Sequence, residues 1–385
     1  MERRQYLQIP GPTNVPDRIL RSLSKPLINH RGPEFELLIE QCIAGLKKVF
    51  RTQNDILIFP SSGSGALEST IVNLLSPGDT IVAVSQGLFS ERMAAIGEKF
   101  GIHVVRINKE WGEAVQIDEI KNLLMQDTEK KIRAVCLPQN ETTSAITNDI
   151  EGVAKMMKES QHPALLVVDA ISSLACLPLE MDGWGIDVVI TASQKGLMLP
   201  PGLGIVALND RAWKLVEQST SPKWYWDYKA VQEKMKGGQF PYTPATTLLF
   251  GLKEALDILE EEGIEKIWER HGLMGKAVRK AVHAMGLTLF AEEEYASDTV
   301  TSIGMPDGIQ YKELAGLLNK DYGVVIGGGL QQLQGKIFRI GHLGAVDQLD
   351  VYAVMGAVEM ALYRLGYHVE LGTAAKAVAK TFLKE

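Results

Sequence analysis

Residues 165–208 read LLVVDAISSLACLPLEMDGWGIDVVITASQKGLMLPPGLGIVAL, and this stretch sets the fold class. It holds three short apolar runs, at 165–169, 187–191 and 204–208, rich in Val and Ile with little polar alternation, the pattern of strands covered on both faces. Upstream, the runs at 56–59, 80–84, 103–107 and 133–137 have the same character. Segments of helical period lie between most of them, at 66–75, 91–100, 118–125 and 150–158. Such β and α alternation builds a mostly parallel sheet covered by helices. The expectation is an α/β protein whose large sheet has about seven strands.

The texture changes at residue 246. Long helical patterns run through 252–262 and 264–285, broken at Gly263. Strand-like 299–303, helix-like 311–319, strand-like 323–326 and 336–340, and helical 347–365 then read as a smaller α+β unit. The expected division is an amino-terminal arm at 1–16, a large domain at 17–250 and a small carboxyl-terminal domain at 251–385. A chain of 385 residues, 45% hydrophobic and 23% charged, has the composition of an ordinary globular protein with ample core for a buried site. Its net charge of -7 provides no general field for nucleic acid or an anionic membrane, so neither is expected as a partner. Cys42, Cys136 and Cys176 form no CxxC and no metal-type spacing; they read as buried thiols in a reducing compartment, and no metal site is expected. The opening residues lack the apolar stretch of a signal peptide, no window suits a membrane span, and the closing KTFLKE matches no peroxisomal or retention signal. A cytoplasmic location is expected.

Chemistry concentrates at strand ends. Asp169 closes one apolar run, and Lys195 follows the run ending at residue 191. In a parallel α/β sheet, residues just past the carboxyl ends of neighbouring strands converge on the ligand crevice. A lysine held there among Gly, Pro and apolar residues is desolvated toward a neutral amine that attacks carbonyls, and a carboxylate on the next strand can pair with the ring nitrogen of pyridoxal phosphate. A surface lysine and a turn-capping Asp would meet the same spacing. Residues 61–66, SSGSGA, follow a strand and open a helix, which makes a phosphate cradle or a plain flexible turn. Arg339, at the end of a small-domain strand, can grip a carboxylate with its planar fork or make a strand-end ion pair. Phe89, after another strand, can stack on an aromatic cofactor or belong to the core.

Longer motifs then identify a family. PGPTNVP at 10–16, HRGPEF at 30–35, FPSSGSGALES at 59–69, LLSPGD at 74–79, NETTSAITND at 140–149, HPALLVVDAISSL at 162–174, MDGWGIDVVITASQKGLMLPPGLG at 181–204, FPYTPATTLLFGLKEALDILEEEG at 240–263 and GKIFRIGHLG at 335–344 occur in order. The chain resembles the class V, fold type I pyridoxal-phosphate aminotransferases, above all those of the serine-glyoxylate and alanine-glyoxylate type. The resemblance runs almost end to end. It implies that Lys195 bonds the cofactor's aldehyde and Asp169 holds its pyridine nitrogen. It gives Ser64, Gly65, Ala66, Phe89, Thr142 and Gln194 as further cofactor contacts, with Thr243 reaching the phosphate across a homodimer interface. It assigns Arg339 to the substrate carboxylate and puts Gly11, His30 and Arg31 beside the substrate. Two departures stand out: His30-Arg31 replaces the Tyr-Arg of plant relatives, which bears on the accepted side chain, and Ser144-Ala145 replaces a usual Thr-Gly.

The activity so implied is transamination of serine or alanine with glyoxylate, giving hydroxypyruvate or pyruvate plus glycine. A ureidoglycine-glyoxylate aminotransferase would share nearly every cofactor contact. A cysteine desulfurase needs a reactive cysteine in the small domain, and none follows Cys176. A non-catalytic scaffold would have no physical need for Lys195, Asp169 and Arg339.

Overall fold

A computed structural model of the chain describes residues 5–384; residues 1–4 of the expected arm, and residue 385, lie outside the described residues. The described chain opens with a short strand, β1 (Tyr6–Gln8). It continues through β2 (Asp55–Ser61), β3 (Thr80–Ser85), β4 (His103–Asn108) and β5 (Ile132–Pro138) to a two-residue hairpin, β6 (Asn140–Glu141) and β7 (Ile146–Thr147). Then come β8 (Leu165–Asp169), β9 (Val188–Ala192) and β10 (Gly202–Leu208), and, after a helical stretch, β11 (Val300–Gly304), β12 (Val324–Gly328) and β13 (Ile337–Gly341).

Seven strands form the large sheet, in the order β2-β10-β9-β8-β5-β3-β4. The seven apolar runs read from the sequence coincide with these strands, the run at 187–191 starting one residue before β9. Only β10 runs against its neighbours β2 and β9. The link at 193–201 is too short for a parallel crossover, which takes roughly a dozen residues or more, so the chain turns back. The weak alternation of the central strands has a direct cause. Val135, Leu137, Leu166, Val168 and Val189 enter the core on one face, while Ala134, Cys136, Leu165, Val167 and Val188 enter the core on the other. The edge strand β4 is the exception, with exposed His103 and Asn108 and a half-buried Arg106.

The second sheet has the order β1-β12-β13-β11 and its own apolar core, which includes Phe338, Ile340, Leu314 and Val354. Here the amino-terminal arm departs from a bare Pro/Gly linker, because β1 pairs in parallel with β12 across the whole length of the chain. Helix Thr246–Glu262 packs on the helices Asp17–Leu23 and Pro33–Phe50, and its Leu249, Leu252 and Leu256 join the large-sheet core. No helix among the described residues is long and apolar enough to cross a membrane.

Candidate active site

Two neighbouring strand ends bring the central pair together. β8 and β9 run in parallel, with Asp169 opposite Ile190, so Asp169 and the loop holding Lys195 leave the sheet side by side. One oxygen of Asp169 accepts from the backbone N–H of Ile171 at 2.9 Å. Burial pushes its carboxyl up to about 7, and the nearby Glu141 charge adds to the rise against the pull of Ile171, Arg92 and Lys195. Burial lowers the Lys195 ammonium to about 8; the Arg339 charge works in the same direction and Asp169 in the other. The Lys195 amine donates to the carbonyl of Pro10.

The arm forms the wall beyond that amine. Thr13 donates its backbone N–H to the Gln194 carbonyl at 3.2 Å and its hydroxyl to the Lys195 carbonyl at 3.2 Å. Gly11 has φ +106°, and a Cβ there would stand 2.6 Å from Lys195 Cδ, so only glycine allows this approach. Gly341 of β13 packs so tightly on the Ile9 carbonyl that any side chain would displace the arm.

Around this pair, Ser62 caps helix Gly63–Leu74, its hydroxyl accepting from the Gly65 N–H at 3.3 Å, and the Ala66 N–H donates to the Ser62 carbonyl. Ser64, in the first turn, accepts from Arg92 Nη1 at 2.7 Å. The Arg92 guanidinium lies 5.1 Å from the centre of the Phe89 ring. Thr142 is buried, its hydroxyl donating to Ser172 at 2.9 Å and its carbonyl accepting from Arg339 Nη1 at 3.1 Å. Arg339 Nε donates to the Gly328 carbonyl at 2.9 Å, and Nη2 makes no hydrogen bond among the described residues. The guanidinium is thus held by two carbonyls with donors to spare.

Three expected positions stand apart. Thr243 is exposed in the loop before helix Thr246–Glu262 and has no hydrogen bond to this group among the described residues. His30 is half-buried and Arg31 exposed, in the turn before helix Pro33–Phe50; the Arg31 N–H donates to Asn29 at 3.1 Å, and neither side chain bonds Lys195 or Arg339 among the described residues. Conversely, Arg92, Glu141 and the Pro10 carbonyl belong to the site without having been singled out. Arg92 follows Phe89 within one helical turn and Glu141 directly precedes Thr142, so nearness to assigned residues was the available signal. A separate cavity of about 420 Å³, lined by Lys158, His162, Trp184 and Arg211 among others, opens at the amino ends of the strands, away from this chemistry.

The model of the family described as aminotransferase class-V matches residues 5–342. The chain belongs to the class-V aminotransferases. It is 38% identical over 384 residues to the serine-glyoxylate aminotransferase of Arabidopsis thaliana, covering 99% of this chain and 96% of that one. It is 38% identical over 367 residues to a Synechococcus protein named soluble hydrogenase, small subunit, covering 95% of each. It is 36% identical over 384 residues to the L-aspartate-glyoxylate aminotransferase of Paracoccus denitrificans, covering 99% and 97%. Among solved structures, ureidoglycine-glyoxylate aminotransferase from Bacillus subtilis superposes with a TM-score of 0.92 at 25% identity, covering 100% of this chain and 99% of that one.

This class-V aminotransferase is a pyridoxal-phosphate enzyme, and its cleft suits the cofactor. Asp169 is desolvated, a condition that a protonated ring nitrogen would relieve. The side-chain amide of Gln194 leaves its oxygen buried without a partner, and turned over in the same position it presents its NH2 donors to an anion. At Gly65 a Cβ would collide with Ser61 Oγ and stand 2.9 Å from the Trp226 ring, so packing in this first helical turn admits only glycine.

Proposed function

We propose that the enzyme transfers the amino group of serine or alanine to glyoxylate, with Lys195, Asp169 and Arg339 in the central roles. The observation that carries this reading is a lysine amine lowered to about 8, beside a strand-end carboxyl and facing an arginine held ready by two carbonyls. When bound, pyridoxal phosphate supplies an electron sink for the carbanion left at the amino acid's Cα. Lys195 would hold the group at its aldehyde carbon, and its Nζ would move the donor's Cα proton, serving as base and then as acid. Asp169 would hold the ring nitrogen and favour its protonated form. Ser64, Gly65, Ala66 and Gln194 would hold its phosphate, and Phe89 and Thr142 would contact its ring.

Arg339 binds the carboxylate of each substrate in turn, so one site serves both half-reactions: the donor leaves as its 2-oxo acid, and glyoxylate leaves as glycine. Gly11 gives the substrate room against Lys195, and His30 and Arg31 bear on the side chain accepted. Relatives that use serine and aspartate support the choice of glyoxylate as acceptor. The TM-score of 0.92 to a ureidoglycine-glyoxylate aminotransferase favours ureidoglycine as the second donor to test. A homodimer in which Thr243 serves the partner's phosphate site accounts for its exposure in a single chain.

The deciding experiment loads the protein with pyridoxal phosphate and follows its visible band. Serine, alanine, aspartate and ureidoglycine are added separately, and glyoxylate should then restore the band with release of glycine. Lys195→Ala should lose the native band. A band that survives this change unaltered, or that no amino donor discharges, would sink the assignment.

A further inference from the structure

The loops leaving β3 and β5 diverge at the crevice, since β3 leads outward to the edge strand β4 whereas β5 leads inward to β8. Chain divergence of this kind opens the ligand site of an α/β sheet and leaves its two walls without a shared backbone ladder. One wall carries Phe89, the other Thr142. Glu141 joins them. Its side chain is completely buried; one oxygen accepts from the backbone N–H of Ser90 at 2.7 Å, the other from that of Thr143 at 2.8 Å. Gly87 leaves the space it occupies, because a Cβ there would press on the carboxylate, 2.7 Å from Oε1.

We infer that Glu141 is a positioning residue that locks the ring-stacking loop at Phe89 to the loop whose Thr142 carbonyl holds Arg339. The inference rests on the cofactor and substrate roles proposed above. Ser90 adjoins Phe89 and begins helix Ser90–Lys99, so the bond to its N–H fixes where the aromatic ring leaves the chain. Thr143 adjoins Thr142, and its carbonyl accepts from Ser302 of β11 at 3.4 Å, tying the same loop to the small sheet. The carboxylate also faces Asp169 and Arg339 electrostatically, favouring the cationic form of the arginine. A single side chain thereby couples the cofactor ring to the carboxylate grip.

Two substitutions separate the bridge from the charge. Glu141→Asp keeps the charge but is one methylene too short to reach both N–H groups; Glu141→Gln keeps the length but offers only one acceptor oxygen. Each should raise both the dissociation constant for pyridoxal phosphate and the KM for the amino donor by about tenfold, the order set by losing a hydrogen bond to a charged group. Each should also change the visible circular dichroism of the bound cofactor, which reports the tilt of its ring. A purely structural role would lower Tm and leave the dichroism, affinity and KM at wild-type values, overturning the inference. A charge-only role would leave Glu141→Asp indistinguishable from wild type and overturn it equally. If both variants fail to fold, Gly87→Ala decides, since it displaces the carboxylate without touching the cofactor and must reproduce the dichroism change. A wild-type protein that gains no visible band would defeat the proposed function together with this inference, whereas a normal band in wild type beside an unaltered Glu141→Asp defeats the inference alone.

Discussion

At Lys195 the governing quantity is the cost of keeping an ammonium away from water. With the amine at about 8, its neutral fraction rises tenfold per pH unit below that value and levels off above it. Cofactor capture by the apo-protein should therefore accelerate from pH 6.5 to 8 and flatten by pH 9.5, measured as the rate at which the visible band appears; a flat profile would contradict the assignment. Arg339 presents a fork that lysine cannot copy, so Arg339→Lys should raise the amino-donor KM by about ten- to a hundredfold, the range for lost charged hydrogen bonds. His271 and His342 illustrate the opposite use of burial. His271 Nε2 accepts from the Gly344 N–H at 3.0 Å, and burial lowers both imidazoles to about 3. Their neutral forms are the folded forms, so this stabilisation is complete above the unfolded value near 6.5 and is lost as pH falls from there toward 3. The unfolding free energy should fall over that window, with a slope of about 1.4 kcal/mol per pH unit for each histidine, measured by denaturant titration at each pH, and replacing either by Asn should reduce the slope.

The elements show how a few backbone contacts hold the two sheets over one site. β1 adds to the small sheet, and the next few residues cross to the lysine loop, so the arm belongs to both. Gly341 is where that crossing is tightest. Gly341→Ala should cost about 1–3 kcal/mol by overpacking against the Ile9 carbonyl, seen as a lower Tm and faster proteolysis of the arm. Unchanged values for both would show that the arm is free to shift. The large-sheet strands were legible because each is a short Val/Ile run bounded by turn residues. The reversed direction of β10 was not read, although the shortness of 193–201 carried the signal. The pairing of β1 was not legible at all, because three residues near the start carry no mark of a partner more than three hundred positions away.

For the whole molecule, the proposed dimer gives a use to a surface that a single chain leaves bare. Trp224 is 75% exposed, its ring 4.9 Å from that of Tyr242, which stacks on Tyr225 at 5.0 Å. This aromatic group adjoins Thr243. If Thr243 serves the opposite site, mixed dimers of Lys195→Ala and Thr243→Ala chains contain one site with both native residues. Mixing the two inactive or weakened proteins should then restore tight cofactor binding and activity to at most one site per dimer, with light scattering confirming the dimer. Failure to complement, or a fully active monomer, would place Thr243 outside the site.

Lys195, Asp169 and the loop at 61–66 could be found in the sequence because each closes or follows an apolar strand or opens a helix, and strand ends of such a sheet gather by topology alone; Arg339, expected at a strand end, instead stands in the middle of β13. Glu141, Arg92 and the Pro10 carbonyl could not. A glutamate after a strand reads the same whether it meets water or two backbone N–H groups, and a carbonyl has no letter of its own. Sequence determined which residues carry reactive groups and which segments must be buried, since both follow from local composition and period. Tertiary structure decided which of those groups lose their water, because desolvation depends on what chain-distant atoms pack against them, and that loss is what lowers the Lys195 ammonium to about 8.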